Sequence, residues 1–359
     1  MPSYRNMDWK KVAWNLLKFG ISLTIIAFLT YKVQQEKGFD ALLNQPKDWF
    51  LLALAAIVML GSISLTFVRW YLLVRAIDIP FSLKDAFRLG FIGYLFTFLT
   101  VGVVGGDLLK AIFLAREHKD RKGRAIGTVI LDRALGLYAL IIVASLAYLY
   151  SGWESIENPS EEMARLIFLG RTTITLATLG TLFIVIFVVM IYSAKQRWKE
   201  NIDQWLETSK LLARLYHAVE LYRQNIWIPC LGFLLGICTH GLGTLAVYLV
   251  AVGLPGKALQ LGDFFMISPI ATLAGSLPLP GGLGAYESAL HFLYNLVSQE
   301  ADSGQGFIIA ACIRVITILI ALIGGAYYLY GRREVDNLVE QAETMFGSAE
   351  EGTQDQEKL

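Results

Sequence analysis

Charge is scarce in this chain. Asp, Glu, Lys and Arg make up 17% of its 359 residues while 55% are hydrophobic, and a soluble domain usually carries about a quarter charged residues. That deficit, with a mean hydropathy of +0.52, excludes an ordinary water-soluble fold. Neither sign is in excess, because 31 basic and 30 acidic residues nearly cancel, so bulk electrostatic binding of nucleic acid is not expected. Cysteine is almost missing. Cys230, Cys238 and Cys312 all lie in apolar stretches, which excludes a secreted disulfide framework and leaves them as small hydrophobes in the core or against lipid. The four histidines, His118, His217, His240 and His291, share no zinc-like spacing with one another or with cysteine, so neither a metal nor another cofactor is expected. A Gly-x-x-x-x-Gly-Lys-Ser/Thr phosphate loop is also missing, and no polar stretch is long enough for an ATPase domain. Primary active transport by this chain is therefore excluded.

What the chain has instead is long uncharged runs. The first, 14–31, follows Arg5, Lys10 and Lys11 without a small-x-small cleavage site before Lys32, and reads as a retained span. Seven more follow at 49–68, 86–109, 126–150, 166–192, 226–252, 264–297 and 307–330. Two of these are broken in the middle. The stretch 86–109 carries Gly90, Gly93, Gly102, Gly105 and Gly106, and 264–297 is interrupted by Pro269, Pro278, Pro280 and a Gly281-Gly282-x-Gly284 run.

Basic residues decide how the broken stretches lie. Arg69, Arg75, Lys84 and Arg88 precede the first, and Lys110, Arg116, Lys119, Arg121, Lys122 and Arg124 follow it; both its ends read cytoplasmic. Around the second, 253–263 holds only Lys257, and 298–306 holds Glu300 and Asp302 with no basic residue; both its ends read external. If each is re-entrant, the chain makes six full crossings with both termini cytoplasmic, and cytoplasmic flanks hold 21 basic residues against 5 outside. Two short full crossings per broken stretch keep the same sidedness and remain an alternative. The fold expected is an all-α polytopic membrane protein of two inverted repeats, 10–150 with the re-entrant hairpin 86–109 and 151–331 with the re-entrant hairpin 264–297. That arrangement is a transporter scaffold. Trp198, Ile202, Trp205, Leu212, Tyr216 and Val219 recur at helical spacing, predicting an amphipathic helix over 196–224 at the cytoplasmic interface. An acidic tail over 332–359 follows, expected to be disordered at its end.

Ionisable groups inside a bilayer cost roughly 2.5–3.5 kcal/mol each, so Asp107, Lys110, Asp132, Arg133, His240, Glu287 and Arg314 stand out. Adjacent residues on a helix point about 100° apart, so Asp132 and Arg133 are expected to find partners on other helices. The break over 278–284 frees backbone N–H groups and aims a positive helix terminus into the protein, which suits a phosphate or carboxylate. Glu287 falls in the first turn of the helix that follows. Gly105-Gly106-Asp107 is its counterpart from the inside, with Lys110 one turn later. Laying Gly105-Gly106 on Gly281-Gly282 aligns the two stretches, each followed by a span with one arginine, Arg133 or Arg314.

These motifs, Gly105-Gly106-Asp107-Leu108-Leu109-Lys110 with Leu131-Asp132-Arg133-Ala134-Leu135-Gly136, and Leu277-Pro278-Leu279-Pro280-Gly281-Gly282-Leu283-Gly284-Ala285-Tyr286-Glu287 with Arg314, resemble the lysylphosphatidylglycerol synthase transmembrane-region family. The resemblance extends over about residues 10–330. It implies the flippase half of the multiple peptide resistance factor, which moves aminoacylated phosphatidylglycerol between leaflets. There the membrane unit is joined to a soluble aminoacyltransferase domain, which this chain lacks, so lipid synthesis is not expected.

The function implied is a flippase-like transporter in the cytoplasmic membrane. It would move an anionic or zwitterionic phospholipid, or a polyprenyl-linked lipid. Phosphate would be held by Arg133, Arg314 and the half-helix termini at Gly105, Gly106, Pro280, Gly281, Gly282 and Gly284. Glu287 and Asp107 would engage a cationic group or a coupling proton, with Lys110 and Asp132 beside them. The oligomeric state is left open. Two alternatives stand: an enzyme acting on a lipid-linked substrate, for which Asp107, His118 and Glu287 form no nucleophile–base pair, and a regulatory or assembly protein working through its tail and interfacial helix.

Overall fold

The computed structural model describes residues 44–99, 104–117, 122–152, 159–193, 225–276, 282–298 and 304–330, with Tyr222 and positions 24, 27, 30 and 31 of the first apolar run. Regular structure among the described residues is helical: α1 (Trp49–Arg75), α2 (Leu83–Leu99), α3 (Val104–Glu117), α4 (Lys122–Ser151), α5 (Glu161–Ser193), α6 (Trp227–Gly253), α7 (Leu261–Gly275), α8 (Ala285–Ser298) and α9 (Gln305–Tyr330). Five of them, α1, α4, α5, α6 and α9, contain runs long and apolar enough to cross a membrane. The chain is a multi-pass membrane protein. The first run, the helix expected over 196–224 apart from Tyr222, and the tail 332–359 lie outside the described residues.

The other four helices are short. With 17, 14, 15 and 14 residues, α2, α3, α7 and α8 reach about 20–26 Å at 1.5 Å per residue, less than the ~30 Å of a hydrocarbon core. Each broken stretch is thus two helices, and each pair folds back on itself. Gly93 and Gly106 would lie about 20 Å apart on a straight helix, yet a Cβ added at Gly106 would collide with the Gly93 carbonyl. A Cβ at Gly282 would likewise collide with the Gly275 carbonyl.

Two basic residues assigned from the sequence to cytoplasmic flanks are inside the helix bundle. Helix α1 continues to Arg75, which places Arg69 within it at 5% exposure. Helix α3 continues to Glu117, so Lys110 is mid-helix with its side chain 11% exposed. Each has a carboxylate within reach, Asp132 and Asp107 respectively, and pairing is what lets a cation stay in such a seam.

The centre of the bundle is an antiparallel seam between α1 and α6. Asp48 caps α1 by accepting the Leu51 N–H at 3.1 Å, and its own N–H donates to the Gly253 carbonyl at 2.9 Å. Midway, Ser62 Oγ donates to the Thr239 carbonyl at 2.8 Å. At the far end the Tyr222 hydroxyl donates to the Leu73 carbonyl at 2.8 Å. Burial, and secondarily the Asp132 charge, push the Tyr222 phenol above its ordinary value and keep it a donor. Around the seam, α2 packs on α9 and α7 on α4, while α5 lies at the edge against α4 and α8. One apolar core joins Phe67, Val250, Phe264, Tyr294 and Ile309; a second gathers Trp70, Leu73, Ile79, Leu114 and Tyr222. Leu182, Phe183 and Ile186 on α5 and Leu319 and Leu322 on α9 are exposed, as side chains in contact with lipid are.

Candidate functional site

Each fold-back places one carboxylate in the first turn of its second helix, where the unpaired N–H groups favour negative charge. Glu287 is held twice. Its Oε2 accepts the Gly284 N–H at 2.8 Å, and its Oε1 accepts Arg314 Nε from α9 at 2.6 Å. The glycines make this turn: Gly282 and Gly284 have φ of +65° and +84°, which side chains rarely adopt. The Arg314 guanidinium also approaches the Gly282 carbonyl at 3.5 Å and lies 5.8 Å from the rings of Phe98 and Tyr286.

Asp107 on α3 is the counterpart. Its Oδ2 is ion-paired with Arg133 Nε on α4, and its Oδ1 lies 3.6 Å from Lys110 Nζ. Lys110 in turn sits 5.8 and 5.4 Å from the rings of Phe67 and Trp70. Carboxylate and arginine are 26 residues apart in this pair and 27 in the other. Gly106 and Gly282 each lie over a carbonyl of the preceding short helix, that of Gly93 within α2 and that of Gly275 at the end of α7. The carboxylate then follows one residue after Gly106 but five after Gly282. Laying glycine on glycine therefore misplaces the acid by about one helical turn, and the ion pairs give the better match of Asp107 with Glu287.

Asp132 and Arg133 do turn to different neighbours. Asp132 pairs with Arg69 Nε of α1 at 2.6 Å, with both side chains below 10% exposure. Space for this guanidinium comes from missing side chains: a Cβ added at Gly136 or Gly236 would meet Arg69 Nη1 at 3.2 Å, and one at Gly232 would meet its Cγ at 3.6 Å. Sequence reading missed Arg69 because it stands near Arg75 at the end of an apolar run. The signal was Asp132 itself, an acid in a span with its neighbour Arg133 pointing elsewhere. His240 Nε2 donates to the Gly136 carbonyl at 3.0 Å. Gly105 lies in the first turn of α3, whereas Pro280 and Gly281 lie outside the described residues.

The two matched pairs differ in access. Arg133 is 46% exposed beside a 12% exposed Asp107, while Arg314 and Glu287 are 15% and 4% exposed. Arg314 borders a half-open cavity of about 300 Å³ between α1, α2, α4, α6, α7, α8 and α9, which Tyr94, His240 and Tyr286 also line. Among the described residues no three His, Cys, Asp or Glu side chains gather as metal ligands would. The arrangement offers guanidinium groups already held by carboxylates, one of them, Arg314, beside a space walled mostly by apolar and hydroxyl side chains.

Comparison with protein families matches residues 15–325 to the lysylphosphatidylglycerol synthase TM region. Comparison with curated proteins finds no match.

Proposed function

Starting from a chain that belongs to the lysylphosphatidylglycerol synthase transmembrane-region family, we propose that it is a flippase-like transporter. It moves the headgroup of a membrane lipid between leaflets without changing the lipid chemically. The observation that carries this reading is the pair of matched arginine–carboxylate sites, one accessible and one closed. In alternating access the two inverted repeats rock about a site at their interface, and an asymmetric pair of matched charge sites fits such a division.

Packing supports the inverted repeat on which the reading depends. Helices α1 and α6 have 27 residues each and run antiparallel. Each is followed by a fold-back pair and then a long span carrying the arginine. Exchanging the halves exchanges the packing of α2 on α9 with that of α7 on α4. In this reading the fold-back pairs are re-entrant from opposite sides, the termini face the cytoplasm, and the membrane is the cell's inner one. Arg133 and Arg314 hold the phosphate in turn, and Asp107 and Glu287 release them to it, which retains the arginine positions in either state.

The test is translocation in sealed vesicles containing the purified full chain and labelled phospholipids. Arg133→Ala and Arg314→Ala should each lower the rate by about tenfold or more, as loss of a charge-assisted contact of 1.5–3 kcal/mol predicts. Lipid recovered afterwards should be chemically intact. Unchanged rates in both variants would sink the assignment, and a new lipid product would replace it with an enzyme.

A further inference from the structure

The cavity beside Arg314 has a chemical character that narrows what can enter it. Thr66 and Thr97 line it from one half of the chain, Thr239 and Thr272 from the other, with Ser62 between them and Arg314 at one side. Among the described residues, neither Asp nor Glu lines it. Glu287, the acid paired with Arg314, is directed to the Gly284 N–H and to Arg314 Nε.

The protons of four of these hydroxyls are already used. Thr66 donates to the Ile63 carbonyl at 2.7 Å, Thr97 to Gly93 at 3.1 Å, Thr272 to Ser268 at 2.8 Å, and Ser62 to Thr239 at 2.8 Å. A hydroxyl has one proton and two lone pairs, so these four oxygens can offer the cavity only acceptors. Thr239 Oγ1 is buried with no hydrogen-bond partner among the described residues. A buried polar atom left this way costs stability until a ligand or water meets it.

A ligand that meets these four acceptors must bring hydrogen-bond donors, and the Thr239 hydroxyl, with both a proton and lone pairs to offer, is met by a group that donates and accepts. An ammonium group brings donors with a charge, and without a carboxylate in the lining its desolvation goes uncompensated. A cluster of neutral hydroxyl groups brings donors without that penalty. We propose that the cavity receives a polyhydroxylated headgroup of the glycerol, inositol or sugar kind, with its phosphate beside Arg314, and discriminates against amine headgroups. The inference rests on reading this cavity as the headgroup site of the transporter.

The test is lipid retention by the full chain in nanodiscs of equimolar phosphatidylglycerol, phosphatidylinositol and phosphatidylethanolamine, read by native mass spectrometry. Enrichment of one of the two polyol lipids over phosphatidylethanolamine by about tenfold is expected. Thr66→Val and Thr272→Val keep the side-chain shape and remove the oxygen, and should reduce the enrichment severalfold, while Thr66→Ser and Thr272→Ser should preserve it. Circular dichroism on each variant separates loss of selectivity from loss of fold. Equal retention of the three lipids, a preference for phosphatidylethanolamine, or unchanged selectivity in folded valine variants would overturn the proposal. Glycerol 3-phosphate offered to the delipidated chain distinguishes the source: weaker retention than phosphatidylglycerol supports a lipid headgroup, and stronger retention overturns it. Selective retention without translocation would remove the transport reading and leave the cavity's chemistry standing.

Discussion

At the scale of the residue, the interior charges are organised by what each would cost alone. Asp132 and Arg69 are both buried and meet at 2.6 Å. Removing one partner of such a pair costs about 3–5 kcal/mol, while replacing both by apolar groups is often neutral. Asp132→Leu should therefore lower the melting temperature of the detergent-purified protein sharply, and the Arg69→Met/Asp132→Leu double variant should regain most of the loss. Additive losses in the double variant would show that the two side chains are not coupled. Asp107, Arg133, Glu287 and Arg314 were legible in the sequence, because a charge within an apolar run has few explanations. Their pairing was not legible, since residues 26 and 27 apart meet only through the fold. Arg69 was hidden by position: a basic residue near the end of a span looks like a flank until its acid partner is placed.

Helices answer to a different rule, that of close approach. In a membrane the helices gain little from burying apolar surface against each other, and small residues set how near they come. Gly106 and Gly282 each lie against a carbonyl of the preceding helix, so Gly106→Ala and Gly282→Ala must open their fold-back pairs. Overpacking of this kind costs roughly 1–3 kcal/mol, and Gly282 adds a φ of +65°. Gly61 and Gly325 have nothing within 4 Å of an added Cβ, and alanine there should be neutral or slightly stabilising. Thermal unfolding of the four variants checks this, and equal behaviour of the two groups would count against the packing. Glycine and proline showed where the broken stretches interrupt. They could not show where those stretches end: hydropathy stops near Leu109, but α3 continues through Lys110 and Arg116 to Glu117, because a helix does not end where apolarity does.

For the whole molecule, the inverted arrangement makes a prediction about sidedness. In a chain with its three cysteines replaced by alanine, Asp78→Cys between α1 and α2 should react with a membrane-impermeant maleimide only from the cytoplasmic side. Lys257→Cys, between α6 and α7, should react only from outside. Labelling of both from one side would contradict opposed repeats. The expectation comes from the charge bias, from which Arg69 and Lys110 have to be taken out; the remaining flank charges keep the same direction.

The α1–α6 seam has a mechanical consequence. It is fastened at one end by Asp48 and Gly253, in the middle by Ser62 and Thr239, and at the other end by Leu73 and Tyr222. Slippage by a helical turn would break all three fastenings, so in the transporter proposed above the two halves would exchange access by rocking about the seam as an axle. Arg69 would serve as its bearing, with Gly136 and Gly236 beside its guanidinium and Gly232 beside its Cγ, while it stays paired with Asp132. Spin-label pairs spanning the seam should keep one distance throughout the transport cycle, while pairs joining α3 to α8 should show two.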